Sequence, residues 1–253
     1  MKMMIRNQLT GLVAVAVMSL GASSAQAAFY GTYMDPTGTV SYVDVQDVNG
    51  LFGAPVVSLN SLDFTPLSYE AQCSVCPSGV TTDDILSFEI DAVPGQQITE
   101  LGINEALDFT LQSFSPTGFA SYLVQANVTV DIYEVNQVSV NNISAVVPVT
   151  FTPTNADGIF GFGQSSGIID GATTIDLQAI LTGAGGSGEV TRVGITFDNT
   201  LQVFHDGAGQ ARLRKRDTDF VSITINGGNP VPEPGTALLL GLGLAGLAAR
   251  REN

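Results

Sequence analysis

The chain has 253 residues, 24 acidic and nine basic side chains, a net charge of −15, one histidine, two cysteines and no tryptophan. Such a charge keeps a protein soluble and repels phosphate backbones and anionic membrane surfaces, which argues against a nucleic-acid partner. A single histidine and two cysteines also leave a thin inventory for catalysis or for a zinc site.

Lys2 and Arg6 precede an apolar run from Leu9 to Leu20, and Ala25-Gln26-Ala27 then supplies a small-x-small triplet. Residues 1–27 read as a secretory signal peptide cut between Ala27 and Ala28 by signal peptidase, with a short retained anchor as the alternative. Setting aside this segment and everything from Val231 onward removes Lys2, Arg6, Arg250 and Arg251 from the nine bases, and Glu233 and Glu252 from the 24 acids. The remainder carries 22 acidic and five basic side chains, a net charge of −17. About 200 residues suffice for one buried core, and all-β sandwiches often reach this length as a single domain.

The passenger domain is expected over residues 28–225. Its early part holds Tyr30, Tyr33, Tyr42 and Tyr69, aromatic rings that would have to replace the missing tryptophan if the domain gripped a sugar face. Cys73 and Cys76 follow in a C-x-x-C pattern. Neither a βαβ context nor a second ligand pair accompanies them, and an exported protein meets oxidising conditions, so a local disulfide is favoured over free thiols. Leu86, Phe88 and Ile90 then alternate with Ser87, Glu89 and Asp91. Glu89 and Asp91 have the chemistry of a glycosidase carboxylate pair, but acids at alternate strand positions ordinarily face solvent.

The clearest element is "YLVQANVTVDI", in which Tyr122, Val124, Ala126, Val128, Val130 and Ile132 point one way and Gln125, Asn127, Thr129 and Asp131 the other. That is a half-buried strand. "TTIDLQAILTG" (173–183) is the one candidate for a short helix, stopped by Gly183. Val193, Ile195 and Phe197 repeat the strand pattern, as do Val221, Ile223 and Ile225. Between them His205 stands beside Asp206 in "VFHDG"; without a Gly-x-Ser-x-Gly elbow it reads as a loop histidine rather than a triad member. "ARLRKRD" concentrates Arg212, Arg214, Lys215 and Arg216. It is a candidate contact for anionic polysaccharide, or else a solvated strand or turn that neutralises Asp217 and Asp219.

Turn-rich pieces such as "SPTG", "TPTNADG" and "NGGNP" separate these strands, and no fixed-period repeat is visible. The expected fold is all-β, an antiparallel β-sandwich of jelly-roll kind, flanked by the signal peptide and a short C-terminal transmembrane helix. No cofactor is expected, with calcium left open. The many carboxylates offer hard oxygen ligands to calcium, yet no D-x-D-x-D-G loop appears.

After the passenger, residues 226–235 form a Gly/Pro-rich linker containing Val231, Pro232, Glu233 and Pro234, an exposed tether that a membrane-embedded enzyme can reach. Residues 236–249 supply 14 apolar or small residues, which as a helix extend roughly 21 Å against a hydrocarbon core of about 30 Å. Arg250 and Arg251, in the 250–253 tail, hold the far end on the cytoplasmic side. Gly241, Gly243 and Gly246 match G-x-G-x-x-G by spacing alone; the fingerprint needs a preceding strand and a downstream acid, and small residues packing in a membrane helix explain it better.

The stretch "VPEPGTALLLGLGLAGLAARREN" resembles a PEP-CTERM sorting signal, in which Pro-Glu-Pro, a short apolar helix and a basic end recruit an exosortase. The resemblance covers only the last 23 residues. It implies a Gram-negative envelope protein with a transient inner-membrane stage, cut near Val231 to Pro234 and released to or attached at the surface, usually in bacteria that make exopolysaccharide. A plain retained anchor is the alternative. The passenger then reads as a structural or adhesive component of the envelope or matrix, with a carbohydrate-binding module as the second possibility; no enzymatic role is expected.

Overall fold

The computed structural model describes residues 27–153 and 156–226. Fourteen strands and one short helix account for most of them. In chain order these are β1 (Ala28–Met34), β2 (Val40–Asp47), β3 (Val56–Ser58), β4 (Ser61–Phe64), β5 (Glu70–Cys73), β6 (Cys76–Ala92), β7 (Gln96–Ser113) and β8 (Phe119–Val135). There follow β9 (Val138–Pro148), β10 (Thr150–Thr152), β11 (Ala156–Phe160), β12 (Gly163–Asp176), α1 (Leu177–Gly183), β13 (Val190–Asp206) and β14 (Gly209–Asn226).

The strands form two antiparallel sheets of seven. The first runs β1-β2-β6-β13-β8-β11, with β9 also paired to β8; the second runs β10-β12-β7-β14-β4-β3, with β5 also paired to β14. The long strands alternate between sheets as the chain proceeds, so β6, β8 and β13 lie in the first and β7, β12 and β14 in the second. Period-two patterning makes this a sandwich, because each strand has one apolar face and two such faces must meet.

All six inward residues expected from Tyr122 to Ile132 are buried on β8, as are Leu86, Phe88 and Ile90 on β6 and Val193, Ile195 and Phe197 on β13. Val221, Ile223 and Ile225 fall on β14, but their side chains lie outside the described residues. One end of the core is an aromatic cluster in which Phe52 meets the rings of Phe64, Tyr69 and Phe197 at 5.8, 5.3 and 5.9 Å, and Phe220 meets Phe88 and Phe197 at 5.1 and 5.3 Å. Most of these contacts are edge-to-face, the arrangement the ring quadrupoles prefer.

Phe52 itself sits in the β2–β3 loop, which two carboxylates hold in place. Asp84 Oδ1 accepts from the main-chain N–H of Val48 and Asn49, and its Oδ2 from that of Leu51. Asp47 takes those of Gly50 and Phe52.

The helix expected over 173–183 is shorter at its start. Residues Thr173 to Asp176 stay in β12, paired with β7 as far as Asp176 opposite Glu100, and Asp176 then turns into an N-cap whose carboxylate accepts from the Ala179 N–H. Gly183 is the last helical residue rather than the stop. Gly185, at φ +78°, makes the left-handed turn, and the N–H groups of Gly185 and Gly186 return to the Thr182 and Leu181 carbonyls.

Candidate functional site

Three polar side chains occupy inward positions in otherwise apolar strands. On β13 Asn199 stands between Phe197 and Leu201, on β7 Glu105 between Ile103 and Leu107, and on β14 Lys215 follows Ala211 and Leu213. They converge in the middle of the sandwich. Lys215 Nζ pairs with Glu105 Oε2, both side chains being wholly out of solvent. Asn199 Nδ2 donates to Glu105 Oε1 at 3.0 Å and Oε2 at 2.9 Å. The ammonium is walled by Phe52, Tyr69 and Phe197, their ring centroids 5.2, 5.3 and 5.2 Å away. Tyr69 donates its hydroxyl proton to the Asn199 main-chain carbonyl. Among the described residues Asn199 Oδ1 is buried with no hydrogen-bond partner. Burial lowers the Lys215 pKa against the opposing pull of Glu105, and burial followed by the Asp84 charge raises that of the Tyr69 phenol.

This corrects the reading of "ARLRKRD" as one basic patch. The segment is a strand, so Ala211, Leu213 and Lys215 turn inward while Arg212, Arg214 and Arg216 turn outward. Lys215 is therefore not a surface contact. Arg212 pairs with Glu70 at 2.6 Å and Arg216 with Asp108 at 3.2 Å, so much of the outward charge is neutralised locally. Glu89 and Asp91 do share the outer face of β6, where both engage the guanidinium of Arg192, with Glu134 at 3.5 Å completing the group. Burial raises the Asp91 pKa against the pull of that arginine.

The outer face of the first sheet carries two depressions. At one end a groove of about 420 Å³ is lined by Phe119, Ser121, Leu123, Gly158, Phe160 and Phe204. Phe119 and Phe160 stack there with centroids 4.5 Å apart, and Phe160 is 80% exposed. At the other end a smaller depression of about 190 Å³ is mostly polar, with Asp44, Gln46, Glu89, Tyr133 and Thr196 among its walls. Tyr133 lies flat on Gly194, where a Cβ would come within 2.6 Å of the phenolic oxygen; the glycine is what lets the ring lie down.

The remaining candidates are placed as follows. Cys73 and Cys76 are joined as a disulfide between β5 and β6. His205 is not in a loop: it lies on β13, is fully buried, and its Nε2 is 3.0 Å from the Gln112 carbonyl. The period-two register that buries Leu201 and Val203 carries it inward. Tyr42 and Tyr69 are buried, Tyr42 donating to the Asn60 carbonyl at 2.6 Å, and these two rings present no face to a sugar; Tyr30, which donates to Asp47 at 3.0 Å, and Tyr33 are half-buried at the margin of the core. Among the described residues no three His, Cys, Asp or Glu side chains are grouped to hold a metal ion, and no helix is long and apolar enough to cross a membrane. The signal-peptide residues before Ala27, and Val231, Pro232, Glu233, Pro234, Arg250 and Arg251, lie outside the described residues.

The C-terminal segment matches one family. Residues 230–252 are a PEP-CTERM protein-sorting motif. The PEP-CTERM motif implies processing by an exosortase, and export with cell-surface sorting in a Gram-negative bacterium. It begins four residues after the end of β14 at Asn226. No curated protein matches the chain significantly.

Among solved structures, an infectious bursal disease virus structure (Gx strain) is similar at 18% identity and a TM-score of 0.32, over 70% of this chain and 39% of the viral one. The CBM22-1–GH10 modules of Clostridium thermocellum xylanase 10B, complexed with xylohexaose, are 9% identical at a TM-score of 0.20, over 64% of this chain and 26% of theirs. The N-terminal cellulose-binding domain of Cellulomonas fimi β-1,4-glucanase C is 10% identical at a TM-score of 0.16, over 81% of this chain and 97% of that one. All three likenesses are loose.

Proposed function

We propose that the protein is exported, surface-sorted and non-enzymatic, its sandwich displayed outside the cell as a structural or adhesive component of the envelope or exopolysaccharide matrix. The observation that carries this reading is the PEP-CTERM motif set directly behind a complete two-sheet sandwich. We further assign the sandwich to the jelly-roll class. Strand order supports this, since β4-β14-β7-β12 in one sheet faces β6-β13-β8-β9 in the other, the arrangement of two interlocked Greek keys. The test is intact-mass analysis of surface and matrix fractions from a host with an active exosortase. The expected mature chain begins at Ala28 and ends near Pro232-Glu233-Pro234. A chain still ending at Asn253 in the inner membrane of that host would overturn the sorting reading.

A second reading, contact with a neutral glycan, is supported by the groove of Phe119, Phe160 and Phe204. Flat apolar rings beside polar side chains suit the faces and hydroxyls of a pyranose. Replacing Phe119 and Phe160 together by serine should abolish retention on the host exopolysaccharide while leaving thermal unfolding near that of the parent. Retention unchanged in this double variant would remove the glycan reading without touching the sorting one.

A further inference from the structure

Lys215, Glu105 and Asn199 come from three strands and both sheets, yet Lys215 Nζ and Asn199 Nδ2 meet at one oxygen, Oε2 of Glu105. A lysine, a carboxamide and a carboxyl group are thus held together out of water, with Phe52, Tyr69 and Phe197 as walls. A structural ion pair needs only the first and third of these, and apolar residues of similar volume commonly replace such a pair without loss of stability. What a pair alone leaves unexplained is Asn199, which adds a buried amide whose Oδ1 has no partner among the described residues. Burial also favours the uncharged, nucleophilic form of Lys215.

We propose that Lys215 Nζ condenses with the side-chain amide of Asn199, with Glu105 relaying protons, to form an intramolecular isopeptide bond joining β13 of one sheet to β14 of the other. Transfer of one proton from the ammonium to Glu105 leaves a neutral amine and a carboxylic acid. With the Asn199 amide turned about Cβ–Cγ, its orphan Oδ1 accepts a hydrogen bond from that acid, which makes Cγ more electrophilic. The Nζ lone pair attacks Cγ, and Oδ1 takes the proton from Glu105. The Glu105 carboxylate next removes a proton from Nζ and passes it to Nδ2. The Cγ–Nδ2 bond then breaks and ammonia departs, while the carbonyl reforms and the Oδ1 proton returns to Glu105. One amide bond is made and one broken, no oxidant or cofactor is consumed, and the reaction yields the cross-link, one ammonia and protonated Glu105. Water exclusion protects the intermediate from hydrolysis and strengthens each electrostatic contact.

The test uses the full chain, purified, reduced and denatured. The expected mass is that of the chain, as defined by its own termini, less one ammonia. Trypsin should yield a branched peptide in which Val193–Arg212 is joined through Asn199 to the dipeptide Lys215-Arg216, because an acylated lysine is not cleaved. Glu105→Gln, Asn199→Ala and Lys215→Met should each restore the unmodified mass. Glu105→Gln is the most informative of them, since it keeps both reacting groups and nearly the same shape. Should these variants fail to fold, the wild-type peptide map still decides. Free Lys215 released by trypsin from the folded wild-type protein would overturn the proposal, and so would a loss of ammonia that maps elsewhere in the chain.

Discussion

Replacement of Phe52 by alanine is the sharpest test of how the sandwich is held together. The side chain is fully buried although its residue belongs to a loop, and it touches three other rings and the Lys215 ammonium. Truncating a buried phenylalanine costs about 3–5 kcal/mol through lost transfer energy and the cavity left behind. Aromatic pairs add about 0.5–1.5 kcal/mol each beyond burial, so the upper part of that range, about 5 kcal/mol, is expected. At about 2–4 °C per kcal/mol for a domain of this size, Tm should fall by about 10–20 °C, which calorimetry or urea unfolding will read. Phe52→Leu keeps most of the volume and loses only the ring contacts, and should cost about 1–2 kcal/mol. If Phe52→Ala costs less than about 1 kcal/mol, the loop is not anchored through this ring and the packing argument is wrong.

Asp84→Ala strips the carboxylate acceptor from the Asn49 and Leu51 N–H groups, while that of Val48 keeps the Ile85 carbonyl at 3.0 Å; at about 1–3 kcal/mol per orphaned donor, with water rescuing part, a loss of about 2–4 kcal/mol and faster amide exchange over residues 49–52 are expected. Burial and the charges of Asp217 and Asp63 raise the Asp219 carboxyl to about 6, so the folded state holds this proton more tightly than the unfolded one. Its contribution therefore makes stability increase as pH falls from above about 6 towards the ordinary value of 3.8; Asp219→Asn should remove that slope and raise Tm at neutral pH, as melts across the range will show. The Cys73–Cys76 bridge predicts no titratable thiol in the denatured, unreduced protein, and its removal should cost roughly 2 kcal/mol by loop entropy; two equivalents of thiol would contradict it.

Much of the sandwich was legible because alternation is a direct imprint of the pleat: the six inward residues from Tyr122 to Ile132 are all buried. The same rule, applied without exception, finds the central cluster. Lys215 is in phase with Ala211 and Leu213, Asn199 with Phe197 and Leu201, and Glu105 with Ile103 and Leu107. The charge of "ARLRKRD" suggests a surface segment, but its period-two phase carries Lys215 inward. His205 likewise continues the inward phase of Leu201 and Val203, which the loop-like "HDG" sequence conceals. What no local pattern reveals is the partnership itself, since Glu105 and Asn199 lie 94 positions apart and meet only because β7 and β13 occupy facing sheets. The start of α1 was obscured for a related reason: pairing with β7 holds Thr173–Asp176 as strand against a helical spacing that suits them equally well.

The placement of β14 governs when the protein becomes itself. This last strand is not an edge but an interior member of its sheet, flanked by β7 along most of its length and by β4 and β5 on the other side. Until it arrives, β7 has no neighbour on that side, β4 has only the three-residue β3 beside it, and β5 has no partner strand. In a chain exported N-terminus first, the second sheet would therefore stay incomplete until residues 209–226 had crossed, with the sorting motif beginning four residues later. A cut within β14 takes an interior strand out of its sheet, whereas a cut at the motif leaves every described strand intact.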